Sequence, residues 1–351
     1  MIKFLYLRTI ILLFSLFAMG KTMHAETPVC SPPAKVQKKA MLGWQPHTPQ
    51  VLVTIKPIHS LVTAVMQGIA EPQLLIQDNS SPHVQAIKPS EAEMLDRAEV
   101  IIWVGEIYET ALKNRLENLE DNKIIVNLSK AKNVRLYPIR QGGFWGTGAC
   151  QHTCDACDTS NEKEDDCHCQ HSSKDHSHEP LSKDGHLWLA PNNAKAIVTQ
   201  VTQTLTTLDP QHATDYLANS KKIIARLNEL ELEITRVVTS IKDKPYMMIH
   251  DFSQYFDRYF GTDGVGTVLD VSHSEPTPKF LRQVESKLTS GSAKCLIVEP
   301  QFKSKTTQML IEDTGIPTQE IDYLGSDLDK GPDCYFEIMR RVANGLVECL
   351  Q

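Results

Sequence analysis

Between Cys150 and Glu179 the chain reads CQHTCDACDTSNEKEDDCHCQHSSKDHSHE, a run of thiols, imidazoles and carboxylates with almost no apolar residue. Cys150, His152, Cys154, Cys157, Cys167, His168, Cys169, His171, His176 and His178 are all groups that bind soft or borderline metal ions. Such a stretch cannot bury a core, so it reads as a loop. Cys154-Asp-Ala-Cys157 and Cys167-His-Cys169 have the spacing of thiolate pairs for Zn2+ or Cu+. Disulfides formed on export account for them equally well. The motif Asp184-Gly185-His186-Leu187-Trp188-Leu189 follows at once and has an ordered, apolar character. A metal-collecting loop that ends at an ordered histidine points to a protein that handles a transition metal.

Outside the loop, three histidines occupy the kind of position, beyond the carboxyl ends of strands, where ligands bind in open parallel sheets. His83 follows Leu74-Leu75-Ile76, His186 opens His-Leu-Trp-Leu, and His250 ends Tyr-Met-Met-Ile-His. Asp322, at the end of the last expected strand, is the natural carboxylate candidate. Three imidazoles and one oxygen make a tetrahedral zinc set. Ligation needs neutral imidazole, so binding should weaken below about pH 6.5, the ordinary histidine pKa. His59 falls on the apolar side of a helix and reads as packed. His212 and His273 fall at helix or loop starts, where capping or exposure suffices.

The elements that must position these groups alternate. Strands are expected at Val51–Ile55, Leu74–Ile76, Val100–Gly105 and Lys123–Leu128, with helices at Ile58–Gly68, from Ser90 (a capping box in Ser90-Glu91-Ala92-Glu93), and at Thr110–Leu119. Helices at Pro191–Leu208 and Pro210–Ile241 follow. Leu217, Ile224, Leu227, Leu230 and Ile234 form a stripe on the longer one. The rhythm then repeats: strands at Tyr246–Ile249, Gly266–Val271, Cys295–Pro300 and Gln319–Leu324, and helices at Phe252–Phe260, Pro278–Thr289, Ser304–Asp313 and Cys334–Leu350. The fold class is α/β, with two similar lobes, each a mainly parallel sheet flanked by helices.

Met1 to Lys21 has a basic start (Lys3, Arg8) and a short apolar run from Ile10 to Met19, the pattern of a secretory signal peptide cut after Ala25. The organisation expected is a signal at 1–25, a flexible lead-in at 26–49, an N-terminal lobe at 50–190 containing the acidic Cys/His loop at 150–180, linking helices at 191–243, and a C-terminal lobe at 244–351. A formal net charge of −7 gives no reason to expect a nucleic-acid partner. The nine cysteines are an odd number for an exported chain, so at least one is free, metal-bound or paired to another molecule. Cys334 reads as a buried free thiol.

Thr54-Ile55-Lys56-Pro57, Pro82-His83 with Lys88-Pro89-Ser90, Trp103-Val104-Gly105, His186-Leu187-Trp188-Leu189, Ile249-His250-Asp251 with Tyr255-Phe256, and Val298-Glu299-Pro300-Gln301-Phe302 occur in this order. The set resembles the periplasmic zinc-binding proteins of high-affinity ABC zinc uptake systems (the cluster A-I group) over residues 50 to 351. The resemblance implies two α/β lobes joined by a long rigid helix, with Zn2+ carried as cargo in the cleft between them. It places the family's zinc histidines on His83, His186 and His250, and the fourth position on Asp322 or on water. Manganese members use a carboxylate at the third position, so His250 favours zinc. Cys295 and Cys349 fall where zinc members carry a disulfide. The implied partners are an ABC permease with its ATPase and an auxiliary periplasmic zinc chaperone. The protein would be a periplasmic monomer that meets the membrane only through the permease. The five loop cysteines depart from the family's usual His/Asp/Glu loop.

Three histidines and a water also form a catalytic zinc arrangement. A hydrolase needs a general base beside the metal. Asp251 and Glu299 are the acids the motifs put nearby, and neither sits in a catalytic motif. The reading is therefore a carrier and not an enzyme. The alternatives are a manganese or iron carrier of the same architecture, or a metal buffer or adhesin that stores zinc in the Cys/His loop.

Overall fold

The structure, a computed structural model, describes residues 47–77, 81–83, 87–119, 121–140, 143–145, 182–269 and 276–351. The expected signal peptide, Cys30, most of the lead-in, His273 and every candidate ligand of the Cys/His loop lie outside the described residues. All described residues belong to one compact unit.

The N-terminal sheet is built from β1 (Val51–Val53), β2 (Gln73–Leu74), β3 (Val100–Trp103) and β4 (Ile124–Asn127). All pairs are parallel and the order is β2-β1-β3-β4. The C-terminal sheet repeats that pattern with β5 (Pro245–Met248), β6 (Asp263–Thr267), β7 (Cys295–Val298) and β8 (Thr318–Glu320), in the order β6-β5-β7-β8. The inner strands β1, β3, β5 and β7 are apolar runs because both of their faces are covered, whereas the edge strands β2, β6 and β8 are more polar and less buried. Side chains alternate between the faces. Val51 and Val53 enter a central core while Leu52 enters an outer one, and Val100 and Ile102 separate from Ile101 and Trp103 in the same way. In β5, Tyr246 and Met248 face the central core and Met247 faces outward.

Around the first sheet run α1 (Lys56–Val65), α2 (Pro89–Arg97) and α3 (Lys113–Leu119). The expected capping box is shifted. Pro89 presets the first helical turn, so Lys88 is the N-cap and its backbone N–H donates to Glu91 at 2.8 Å. Ser90 and Glu93 lie inside the helix. Then come α4 (Pro191–Leu208) and α5 (Ala213–Val237), the latter 25 residues and so about 38 Å long. The C-terminal helices are α6 (Gln254–Phe260), α7 (Pro278–Thr289), α8 (Lys305–Thr314) and α9 (Cys334–Leu350).

The buried stripe of α5 is Tyr216, Asn219, Ser220, Ile223, Leu227, Leu230 and Ile234. Leu217, expected on this stripe, is 56% exposed. One residue is about 100° around a helix, and Tyr216 and Asn219 hold the inward face instead. Asn219 Nδ2 donates to the backbone oxygens of Val65 and Gln67 and so ties α5 to the end of α1. The central core is continuous from the first sheet through α1, α4, α5 and α9 to the second. Lys56 adds a polar tie, donating from α1 to Ser326 O at 2.8 Å and Leu328 O at 2.7 Å. Cys334 is a buried free thiol, and burial pushes it up to about 11.

The sequence gives no sign of one pairing. Residues 143–145 lie antiparallel along β6: Trp145 N donates to Val265 O and Thr267 N to Gly143 O. A Cβ on Gly266 would stand 2.4 Å from Gly143 O, so only glycine admits the approach. β6 itself begins at Asp263, ahead of the strand expected from Gly266, because it pairs with β5 from Pro245 onward.

A buried carboxyl lies in the N-terminal lobe. Glu109 accepts from Thr54 Oγ1 and from Gly105 N at 3.0 Å, yet burial outweighs these bonds and pushes it up to about 7. The folded chain therefore holds this proton more tightly than the unfolded chain. The stability it contributes is complete below its ordinary value of 4.5 and is lost as pH rises through about 7. The size is on the order of 3 kcal/mol. Glu109→Gln should flatten this part of the pH dependence, read as denaturation midpoints of metal-free protein at about pH 5 and 7.5. An unchanged slope would assign it elsewhere.

Candidate metal centre

The loop after β2 delivers His83, whose backbone oxygen accepts from Thr110 Oγ1 and whose ring meets Tyr108 edge-on at 4.4 Å. His186 sits at the head of a 3-10 turn, Leu187–Leu189, that buries Trp188 completely. His250 lies two residues beyond the end of β5. The three rings converge. His186 Nε2 is 3.3 Å from His83 Nε2 and 3.2 Å from His250 Nε2. Among the described residues, these three histidines form the one group of three or more His, Cys, Asp or Glu ligands with metal-binding spacing. His186 and His250 are buried and His83 is partly exposed.

Each ring has a reason for its orientation. Asp184 Oδ1 accepts the His186 backbone N–H at 2.9 Å and bonds ring Nδ1 at 2.8 Å. An ionised carboxylate only accepts, so Nδ1 carries the proton and the Nε2 lone pair faces the other two histidines. Asp184 is itself held, donating its N–H to Tyr137 O and accepting at its carbonyl from the Tyr255 hydroxyl. Gly185 is the residue that fits between Asp184 and His186, because a Cβ there would be 2.6 Å from Tyr108 Cβ. His250 packs on Phe302 at 4.4 Å and beside Tyr323, which stacks on Phe252. The next residue, Asp251, is gripped by Arg140 through Nε and Nη2, while Arg140 Nη1 donates to Asp257 at 3.0 Å. Glu299, next after β7, is fully buried, and burial holds its carboxyl well above the usual range.

The structure does not bring Asp322 into this group. Its Oδ1 accepts from Leu324 N, Gly325 N and Gln301 Nε2, and its Oδ2 from Ser326 N and Oγ. The carboxylate is used up capping its own turn, as short acidic side chains do. His59 is packed as expected, bonded to Pro72 O at 2.9 Å, and burial lowers its pKa. His212 bonds Asp209 at 2.8 Å. Cys295 and Cys349 are disulfide-bonded, with Cα atoms 5.8 Å apart.

Sequence reasoning missed Asp184 and Arg140. Asp184 had a signal: a carboxylate two residues before a histidine, with glycine between, can reach both the backbone N–H and the ring. Arg140 had none, since its partners Asp251 and Asp257 lie more than 100 residues away.

Residues 51–349 match the family described as zinc-uptake complex component A, periplasmic. The high-affinity zinc uptake system protein ZnuA of Brucella abortus is 35% identical over 306 residues, covering 86% of this chain and 91% of its own length. That of Yersinia pestis is 27% identical over 305 residues, with the same coverage. Among solved structures, a crystal structure of ZnuA superposes with a TM-score of 0.68 at 18% identity, over 87% of this chain and all of that one. The periplasmic zinc-binding protein TroA of Treponema pallidum gives 0.66 at 18% identity, over 87% of this chain and 99% of its own. These likenesses show the same two-sheet fold with its long helix. With a family match across nearly all of the described residues, the chain belongs to the periplasmic zinc-uptake component A family.

Proposed function

We propose that the protein captures Zn2+ as cargo between its lobes, through Nε2 of His83, His186 and His250, and delivers it to an ABC permease driven by its ATPase. One observation carries this reading: the Nε2 separations of 3.2 and 3.3 Å. Ligands at about 2.05 Å from a tetrahedral zinc stand roughly 3.3 Å apart. One N–H···N bond accounts for a pair of imidazoles at this distance, whereas three ring nitrogens meeting at one point is the arrangement of a metal site. With Asp322 engaged elsewhere, water takes the fourth position. The N-terminal lobe (50–190) supplies His83 and His186, the C-terminal lobe (244–351) supplies His250, and the linking helices (191–243) hold the two in register. Ligands drawn from both lobes allow tight binding and release by a small relative movement.

The family is one of transport proteins, and the carrier has no catalytic role in this reading. It is exported by its leader, works as a monomer in the periplasm and can accept zinc from an auxiliary chaperone. The Cys/His stretch at 150–180 serves as an accessory collector that passes zinc to the cleft. Competitive zinc titration of the mature protein tests both parts, with His83→Ala and a deletion of residues 150–179 beside the wild type. One tight site, lost with His83 and kept in the deletion, is the expected result. Tight binding that survives His83→Ala and disappears with the loop would make the protein a loop-based buffer.

A further inference from the structure

Behind His250 stands a carboxyl that the zinc centre as described leaves unused. Glu299 is fully buried, and no side chain hydrogen-bonds Oε1 or Oε2; the nearby His250 backbone N–H only partly offsets the burial. Its Oε1 lies 3.7 Å from His250 Nδ1, the ring nitrogen opposite the one that joins the three-histidine group. Asp184 stands in the same relation to His186, at 2.8 Å. One arrangement thus occurs twice, once closed and once about 1 Å short of closing. A buried carboxyl so poorly partnered is costly, and an apolar side chain of the same size would remove that cost. Its place at this point of the chain makes sense if it gains a partner when the site is loaded.

We propose that Glu299 is a positioning residue for His250. When a zinc ion draws the ring into place, Glu299 accepts the Nδ1–H. This fixes the tautomer whose Nε2 lone pair faces the ion and resists rotation of the ring. The pair Asp184–His186 is set in advance, whereas Glu299–His250 completes on binding. This role rests on the zinc centre proposed above.

The test is competitive zinc titration of the mature protein with Glu299→Leu and Glu299→Gln, beside wild type and His83→Ala. Glu299→Leu should weaken zinc binding about 10- to 100-fold, the usual loss when a ligand's supporting acceptor is removed. Glu299→Gln keeps an acceptor oxygen at the same reach and should restore affinity to within a few-fold of wild type. The metal-free melting temperature of Glu299→Leu should equal or exceed that of wild type, a sign opposite to its effect on binding. If Leu prevents folding, Glu299→Met, unbranched and of similar length, carries the same comparison. Wild-type affinity in the Leu or Met variant overturns the role, as does a Gln variant no better than Leu. Either result, with tight wild-type binding that His83→Ala destroys, leaves the zinc centre standing. A wild type without a tight site, or one indifferent to His83→Ala, removes the centre itself.

Discussion

His186→Ala should lower zinc affinity by roughly two to three orders of magnitude, the largest effect expected of any single substitution in this chain. A four-ligand zinc site is worth about 10–16 kcal/mol, so one ligand accounts for roughly 3–4 kcal/mol. His186 is the ring whose Nε2 lies within 3.3 Å of both others. Its removal also takes from Asp184 a ring donor that the backbone N–H alone cannot replace. Asp184→Asn keeps the imidazole and weakens its support, so it should cost only about 10- to 100-fold. Isothermal titration with a competing chelator separates the two. Equal losses in both variants would mean that the carboxylate, and not the ring, dominates binding.

Removing the Cys295–Cys349 disulfide should destabilise the protein by about 4 kcal/mol. The bond closes a loop with a sequence separation of 54, and the chain-entropy cost of leaving such a loop open is of that order. It joins the buried start of β7 to the last turn of α9, so the final helix is pinned to the sheet that supports His250. A Cys295→Ala/Cys349→Ala double variant, followed by chemical denaturation with and without reductant, reads the effect directly. Reductant should leave the variant's midpoint unchanged and lower that of the wild type. A wild type insensitive to complete reduction would show that packing of α9 alone sets the stability.

Much of this architecture was legible because short unbroken apolar runs and capped amphipathic stretches alternate along the chain. His83 and His250 were legible as residues after strands and His186 as the opening of the apolar His-Leu-Trp-Leu motif, and their grouping came from the resemblance. What was hidden is non-local. Asp322 looked like a ligand because of its place after the last strand. Only the fold of the turn to Ser326 shows its oxygens already occupied. Leu217 looked inward because it is apolar, but the polar neighbours Asn219 and Ser220 occupy the buried face through bonds and packing that sequence does not display. The pairing of Arg140 with Asp251 and Asp257 joins distant segments and carries no local pattern.

The segment 143–145 along β6 has a consequence for handling the molecule. β6 is the outermost strand of the second sheet, and an outer strand with bare N–H and C=O groups is a template for pairing with other chains. Gly143 to Trp145 cover that rim with hydrogen bonds from Thr267 N and to Val265 O, and the Arg140 guanidinium lies over the Trp145 ring at 4.1 Å. The same residues lead directly into the Cys/His stretch. Shortening that stretch is harmless to the sheet only if the cut begins beyond Trp145. A deletion reaching back to Gly143 would uncover a sticky border and turn a change in metal handling into one of solubility.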